Sequence, residues 1–312
     1  MVILLRLWYI VQNRNEEGIG MYELIQVGEN TFYMDCPAKV GFFRTAEGGV
    51  VLIDSGSDKD AAKKVKKILD AQSWTPAAIF NTHSHADHIG GNRYLQDSYG
   101  CPVYAPGVER AFTEFPVLEP SLLYGGYAMK ELQNKFLMAK ESVVQPLVPE
   151  ALPSGLEMLP LPGHCYEMAG FRTADDVVFL ADCLSSAETL EKYQVGYLYD
   201  VGAALETLEK VKTMEAACFV PSHAAQTEDI RPLAQANIDK IHEIAGAILQ
   251  FLAEPMIFEE LLACVFTHFN LTMNLQQRML LGSTLKSYLS WLKSLGKADW
   301  FFEDGRMLWK RS

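Results

Sequence analysis

The stretch Asn81-Thr82-His83-Ser84-His85-Ala86-Asp87-His88-Ile89-Gly90-Gly91 decides how this chain is read. It follows the apolar run Ala77-Ala78-Ile79-Phe80, which has the length and composition of a buried strand. Within six positions it carries four metal-capable side chains: His83, His85, Asp87 and His88. A strand cannot gather them, because neighbouring side chains leave opposite faces. A loop that turns at once into a helix can. The competing reading is a polar turn that is incidentally rich in histidine. With seven His in 312 residues and three of them here, chance clustering is a poor account.

Four more fragments occur in order around this stretch: Val51-Leu52-Ile53-Asp54-Ser55-Gly56 upstream, then Pro162-Gly163-His164, Phe179-Leu180-Ala181-Asp182 and Pro221-Ser222-His223. With H-x-H-x-D-H followed by Gly-Gly, the ordered set resembles the signature of the metallo-β-lactamase superfamily over roughly Tyr22 to His223. The resemblance implies an α/β fold, an αββα sandwich with metals at one sheet edge. It also implies a ligand set. His83, His85 and His164 hold a first metal, Asp87, His88 and His223 a second, Asp182 bridges them, and Asp54 supports the ligand loop from behind.

Such nitrogen and oxygen donors suit zinc, with iron or manganese as alternatives, and do not make a closed four-ligand structural site. Two zinc ions per chain, about 3.5–4 Å apart, would clamp a bridging hydroxide and polarise the bond under attack. Asp87 is then the candidate catalytic residue, orienting that hydroxide and taking its proton.

The implied activity is hydrolysis of an ester, thioester or lactone in a small-molecule substrate. It is similar to the glyoxalase II and lactonase branches, although no dedicated glutathione-binding motif is visible. One alternative is a sulfur dioxygenase of the same fold with a single iron at the first site. Another is a metal-dependent nuclease, which the tail of the chain suggests and its acidity opposes. A non-enzymatic scaffold fits poorly, because every ligand position is filled. His85 stands where a flavodiiron relative has glutamate, and Asp182 where the best-known β-lactamase branch has cysteine. The interval from His88 to His223 also lacks the large inserted domain of the RNA-processing branch.

Composition narrows the partners. The net charge of −12 disfavours a nonspecific polyanion binder, since phosphate contacts need Lys or Arg. From Pro255 onward seven basic residues outnumber five acidic ones, too slight an excess to read as a nucleic-acid patch. The six cysteines are scattered without a C-x-x-C pair, which argues for a reducing, cytoplasmic setting over a disulfide scaffold. The apolar run Met1 to Val11 is interrupted by Arg6 and falls short of the roughly 20 residues of a membrane span. No small-residue cleavage site follows it, so no membrane or secretory role is expected. Residues 1–20 read as an uncertain extension ahead of an alternative start at Met21.

The expected organisation is a catalytic domain over 21–228 and a C-terminal region over 229–312. Short β runs at Thr31–Met34, Val40–Arg44 and Val50–Ile53 precede an amphipathic helix over Asp58–Ala71, whose Lys63, Lys64, Lys66 and Lys67 read as a solvated face. Residues 109–149, aromatic and Met-rich, read either as the cap such folds carry over the active site or as a helical excursion packed on the sandwich.

Helices are expected near Asp229–Leu252, Pro255–His268 and Asn274–Leu295, then a hairpin turning at Asp304-Gly305. That ending resembles a winged helix-turn-helix, for which packing or homodimer formation is favoured over DNA reading. Cys165 and Cys183 flank ligand positions and are either redox-sensitive or small buried fillers. Tyr193, Tyr197 and Tyr199 include a candidate substrate contact that sequence does not single out. His242 and His268 lie outside every motif and read as partly exposed helix residues.

Overall fold

Alternation along the strands explains why two sheets face one another. A computed structural model describes residues 21–312, so the expectations for Met1 to Val11 and for residues 1–20 lie outside the described residues. In β4 (Val50–Ile53), Val51 and Ile53 enter one cluster of buried side chains, while Val50 and Leu52 enter another. The same split divides Ala78 and Phe80 from Ile79 in β5 (Pro76–Phe80), and Val177 and Phe179 from Val178 and Leu180 in β10 (Val177–Ala181). Strands apolar on both faces must be covered on both. The result is two sheets packed on each other with helices outside.

The first sheet runs in chain order: β1 (Leu24–Gln26), β2 (Thr31–Met34), β3 (Val40–Arg44), β4, β5, β6 (Val103–Ala105) and β7 (Val144–Pro146). It is antiparallel as far as β4 and parallel beyond. The second sheet holds β8 (Leu156–Pro160), β9 (Ala169–Thr173), β10 and β11 (Cys218–Pro221) in the order β11-β10-β9-β8. Phe43, Ile53 and Phe80 of the first sheet meet Phe171, Phe179 and Val220 of the second between the layers.

Outside the first sheet lies α1 (Lys59–Gln72), started by Asp58 accepting from the Asp60 and Ala61 amides and ended by Ser73 in the left-handed region. Its Ala61, Ala62, Val65 and Leu69 are buried. Val65 and Leu69 alone contribute about 1.5–3 kcal/mol each. The lysine face is solvated as expected, with Lys63 and Lys66 paired to Asp60 and Asp70. The histidine-rich loop leads into α2 (Ala86–Ile89) and then α3 (Asn92–Tyr99).

Residues 109–149 carry α4 (Glu109–Glu114), α5 (Leu118–Tyr124) and a 3-10 turn at Lys130–Leu132. Leu123, Ala128, Leu132 and Leu137 pack there against Leu275, Met279 and Leu280. Outside the second sheet, beyond α6 (Ala187–Tyr193), lie α7 (Val201–Lys212) and α8 (Arg231–Phe251). They are followed by β12 (Met256–Ile257), α9 (Phe258–His268) and α10 (Leu275–Ser294). Leu180, Leu208, Ile241, Ile248, Leu262 and Leu289 belong to one cluster, so the C-terminal helices continue the core of the sandwich.

β13 (Ala298–Glu303) and β14 (Arg306–Arg311) close the chain in a three-stranded sheet ordered β12-β14-β13. Asp304 and Gly305 both have positive φ, as a two-residue type I′ turn requires. His242 and His268 sit exposed on α8 and α9, as expected. No helix of the described residues is long and apolar enough to cross a membrane.

Gly90-Gly91 shows how tightly the ligand loop is seated. A Cβ on Gly90 would overlap the Ser57 carbonyl, and one on Gly91 the Ser55 carbonyl, both backbone groups just beyond β4. Gly91→Ala is therefore expected to lower unfolding stability by about 1–3 kcal/mol in a urea titration. Unchanged stability would show that this approach is not needed.

Candidate metal centre

All seven sequence-expected ligand positions lie in the segments that follow strands, Asp87 and His88 within α2. Asp54 follows β4, His83 to His88 follow β5, His164 lies between β8 and β9, Asp182 follows β10 and His223 follows β11. Two non-glycine residues at these strand ends, Asp54 and Ala181, take positive φ. Such a conformation costs about 1–3 kcal/mol and persists only where the surroundings enforce it. At Ala181 it turns the chain out of β10 just before Asp182.

Asp54 holds the ligand loop, the role its position implied. Its Oδ1 accepts from the Thr82 amide at 2.8 Å, and its Oδ2 accepts from Thr82 Oγ1 at 2.8 Å and lies 2.8 Å from His88 Nδ1. Thr82 Oγ1 donates its only hydrogen to Asp54, so at 3.0 Å it accepts from His83 Nδ1. His164 Nδ1 lies 3.2 Å from the Tyr197 carbonyl, and His223 Nδ1 2.6 Å from the Pro37 carbonyl. Those partners assign the Nδ1–H tautomer to His83, His88, His164 and His223, leaving Nε2 for the centre.

His85 is turned the other way. Its Nδ1 lies 3.1 Å from His83 Nε2 and 2.9 Å from His164 Nε2, while its Nε2 lies 3.9 Å from Glu119 Oε1.

The donors converge in three overlapping groups: His83, His85 and His164; His83, His88 and Asp182; and Asp87, His88 and His223. Within each group the ligand atoms lie within 4.8 Å of one another. Asp182 touches both sides of the centre. One oxygen is 3.6 Å from His164 Nε2 and 3.1 Å from His223 Nε2, and the other is 3.2 Å from His88 Nε2. His88 Nε2 and Asp182 Oδ1 are buried and make no hydrogen bond, even with each other at 3.2 Å. Buried polar atoms rarely stay unpartnered. Two ligands directed at a third atom have this geometry, so the donor set fits a metal ion. Asp87 is the most open member, with 45% of its side chain exposed against none for His83 and His88.

Electrostatics within the cluster divide its protons. Burial, reinforced by His88 and His85, holds the His83 ring well below the usual histidine range, and burial with His85 brings His164 to about 3. Burial also opposes the charge on His88 and His223, but adjacent carboxylates outweigh it. Asp182 and Asp87 raise His88 well above its ordinary value, and Asp182 takes His223 to about 10. Burial likewise opposes ionisation of Asp182, yet His223 and His88 hold its carboxyl well below the usual range. Without a metal ion, protons on two rings balance the carboxylates; a bound cation would displace them.

Two supporting carboxylates escaped sequence reasoning. Glu109, 1% exposed, accepts from the Ser84 amide at 3.0 Å, from Ser84 Oγ at 2.5 Å and from the Glu167 amide at 3.3 Å. It thereby ties the backbone between His83 and His85 to the loop after His164. Glu119, 8% exposed, brings α5 to His85. Nothing in their local sequence separates them from solvated glutamates; their position between ligand groups is the only signal.

Among the three tyrosines, Tyr197 is the one at the centre, edge-on to the His85 and His164 rings, while Tyr199 packs on Tyr166 and Tyr193 is exposed. Cys165 and Cys183 are buried and burial pushes both thiols up, as for small fillers.

Comparison with known proteins shows the family and the fold. The profile of the metallo-beta-lactamase superfamily matches residues 34–223. A hydroxyacylglutathione hydrolase from Methylococcus capsulatus is 27% identical over 161 residues, 51% of this chain and 52% of that protein. An uncharacterized protein from Mycobacterium leprae is 30% identical over 95 residues, 30% of this chain and 41% of that one. The aligned regions thus span about half or less of these curated relatives.

A beta-lactamase domain protein from Burkholderia ambifaria superposes with a TM-score of 0.70 at 16% identity, covering 94% of both chains. A metallo-beta-lactamase family protein from Thermus thermophilus gives 0.68 at 17%, covering 93% of this chain and 98% of that one. At these identities the two structures show a shared fold, over lengths that include the C-terminal helices.

Asp54→Asn keeps the size of the side chain but weakens its hold on His88 and Thr82. It is expected to lower zinc affinity about 10–100-fold in a competition assay against a chromogenic chelator. Wild-type affinity would mean that Asp54 does not orient the ligands.

Proposed function

The chain belongs to the metallo-beta-lactamase superfamily, and from that premise we propose that it is a metal-dependent hydrolase that opens an ester, thioester or lactone bond. The observation that carries the proposal is the pair of three-residue donor sets joined through Asp182, with the open carboxylate of Asp87 at their rim. The hydrolase name of a relative supports bond hydrolysis in general. His83, His85 and His164 would hold one ion and Asp87, His88 and His223 the other, with Asp182 shared; zinc is the ion the donor types favour. When bound, such a pair supplies Lewis acidity and brings the pKa of a shared water near neutrality.

The protein's own groups do the rest. Asp54, Thr82 and the carbonyls of Pro37 and Tyr197 keep the imidazoles in the required tautomers. Asp87 Oδ2 lies 3.4 Å from His223 Nε2 and 3.8 Å from His88 Nε2, on the side of the ion those rings would hold, and Oδ1 would orient the attacking water and receive its proton. Residues 109–149 form a wall of the site through Glu109 and Glu119, and this is the sense in which we assign them as a cap. A sulfur dioxygenase with one iron would leave Asp87, His88 and His223 without a task. A nuclease would have to draw a polyanion to a chain of net charge −12.

The test is a panel of esters, thioesters and lactones on zinc-reconstituted protein, with metal content measured alongside. Asp182→Ala is expected to lower bound metal and abolish turnover, and Asp87→Asn to lower kcat about 10²–10⁴-fold. Full activity in Asp182→Ala would remove the proposed centre. Oxygen uptake with a persulfide, or cleavage of labelled RNA, in place of panel activity would replace the hydrolase assignment.

A further inference from the structure

A cavity of about 90 Å³ begins at the metal centre, where His164, Asp182 and His223 line it, and runs toward the C-terminal helices. Its apolar lining is Leu184, Leu190, Leu198, Leu208, Ile241 and Ile244. The polar groups along it are largely committed elsewhere. Lys240 pairs with Glu243 at 2.6 Å and donates to Gln194 at 3.1 Å, so it is not a cation awaiting an anionic ligand. Asn237 donates to the Ser185 and Leu233 carbonyls and accepts from the Ser185 amide. The exception is the Tyr288 hydroxyl, which is buried without a hydrogen-bond partner.

We propose that this cavity is the acyl pocket of the enzyme and selects substrates whose acyl chain has about three to four carbons beyond the carbonyl, butyryl to valeryl. The proposal rests on the hydrolase assignment above. Its size sets an upper bound: an apolar cavity of about 150 Å³ takes benzene, about 25 Å³ per carbon, so 90 Å³, part of which lies against the ligands His164, Asp182 and His223, holds at most three to four carbons. Its placement is equally specific. A chain filling it has its carbonyl end against the Asp182 side of the centre, and its far end against α8 and α10. The C-terminal region, rather than the ligand motifs, then sets chain-length preference.

The experiment pairs a kinetic arm with a binding arm, both on the full chain. In the first, p-nitrophenyl acetate, butyrate, hexanoate and decanoate are compared on zinc-loaded protein. The expected kcat/KM rises about fourfold per methylene from acetate to butyrate and falls from butyrate to hexanoate and decanoate.

Gly196 lines the cavity, its φ is not in the left-handed region, and a Cβ there meets nothing within 4 Å. Gly196→Leu is therefore expected to fold and to lower the butyrate-to-acetate ratio at least about tenfold. Leu190→Ala, at a half-buried position, is expected to move the optimum toward hexanoate. In the second arm, saturation-transfer NMR with butyramide and decanamide on protein without added metal should show binding of the first only.

A flat chain-length profile, or ratios unmoved by both variants, overturns the acyl pocket while leaving the hydrolase assignment standing. If no ester is turned over, the NMR arm decides the cavity, and the hydrolase assignment falls only if the thioesters and lactones of the panel are also left intact. Butyramide saturation then supports a pocket for short apolar chains, and its absence overturns that too.

Discussion

The site depends on one buried carboxylate. Asp54 receives the Thr82 amide and hydroxyl and the His88 ring, so a single side chain joins the end of β4 to the loop after β5. Charge-assisted hydrogen bonds of this kind are stronger than neutral ones, and inside a protein their loss leaves a costly unpaired charge. The constraint propagates outward. Thr82 hands its orientation to His83, its carbonyl receives the Ala169 amide of β9, and Gly91 must lie against Ser55 for the loop to close. Moving Asp54 would displace ligands in both donor groups.

The other ligands are delivered by the second sheet under the same economy of backbone contacts. The Gly163 carbonyl accepts from the Tyr199 and Asp200 amides, and Thr207 reaches the Pro162 carbonyl, which seats His164 against the start of α7. The Ser222 amide donates to the Ala181 carbonyl, and Lys39 reaches the Ala224 carbonyl across from β3, which seats His223. Because both sheets contribute, the centre exists only when the interface between Phe80, Phe171 and Phe179 is closed. Folding and ligand assembly are therefore one event.

The segments outside the motif framework shape what the centre faces. Residues 109–149 send Glu109 and Glu119 inward and pack their apolar residues on α10, while Phe115, Tyr127 and Phe136 stay exposed. The C-terminal helices share one apolar cluster with β10 and α7, so the cavity beside the metal centre is walled in part by Ile241, Ile244 and Tyr288, far along the chain from the histidine-rich loop. A substrate preference built there leaves no trace in the ligand motifs.

Much of this was legible without coordinates, for identifiable reasons. Six positions holding His83, His85, Asp87 and His88 after an apolar run constrain the chain locally. The ordered fragments ending in Asp54, His164, Asp182 and His223 place ligands where strands end. Asp304-Gly305 dictates its own turn because both residues tolerate positive φ. These features are local, and backbone geometry translates them into structure.

Glu109 and Glu119 resisted, because burial of a carboxylate depends on partners such as Ser84 and His85 that folding brings near. The choice of Tyr197 over Tyr193 and Tyr199 resisted for the same reason. The sequence by itself determined the fold class and the identity of the metal-capable side chains. Only the tertiary structure decided which ring nitrogen each histidine presents and which apolar walls the centre faces, since both are set by contacts between residues far apart in the chain.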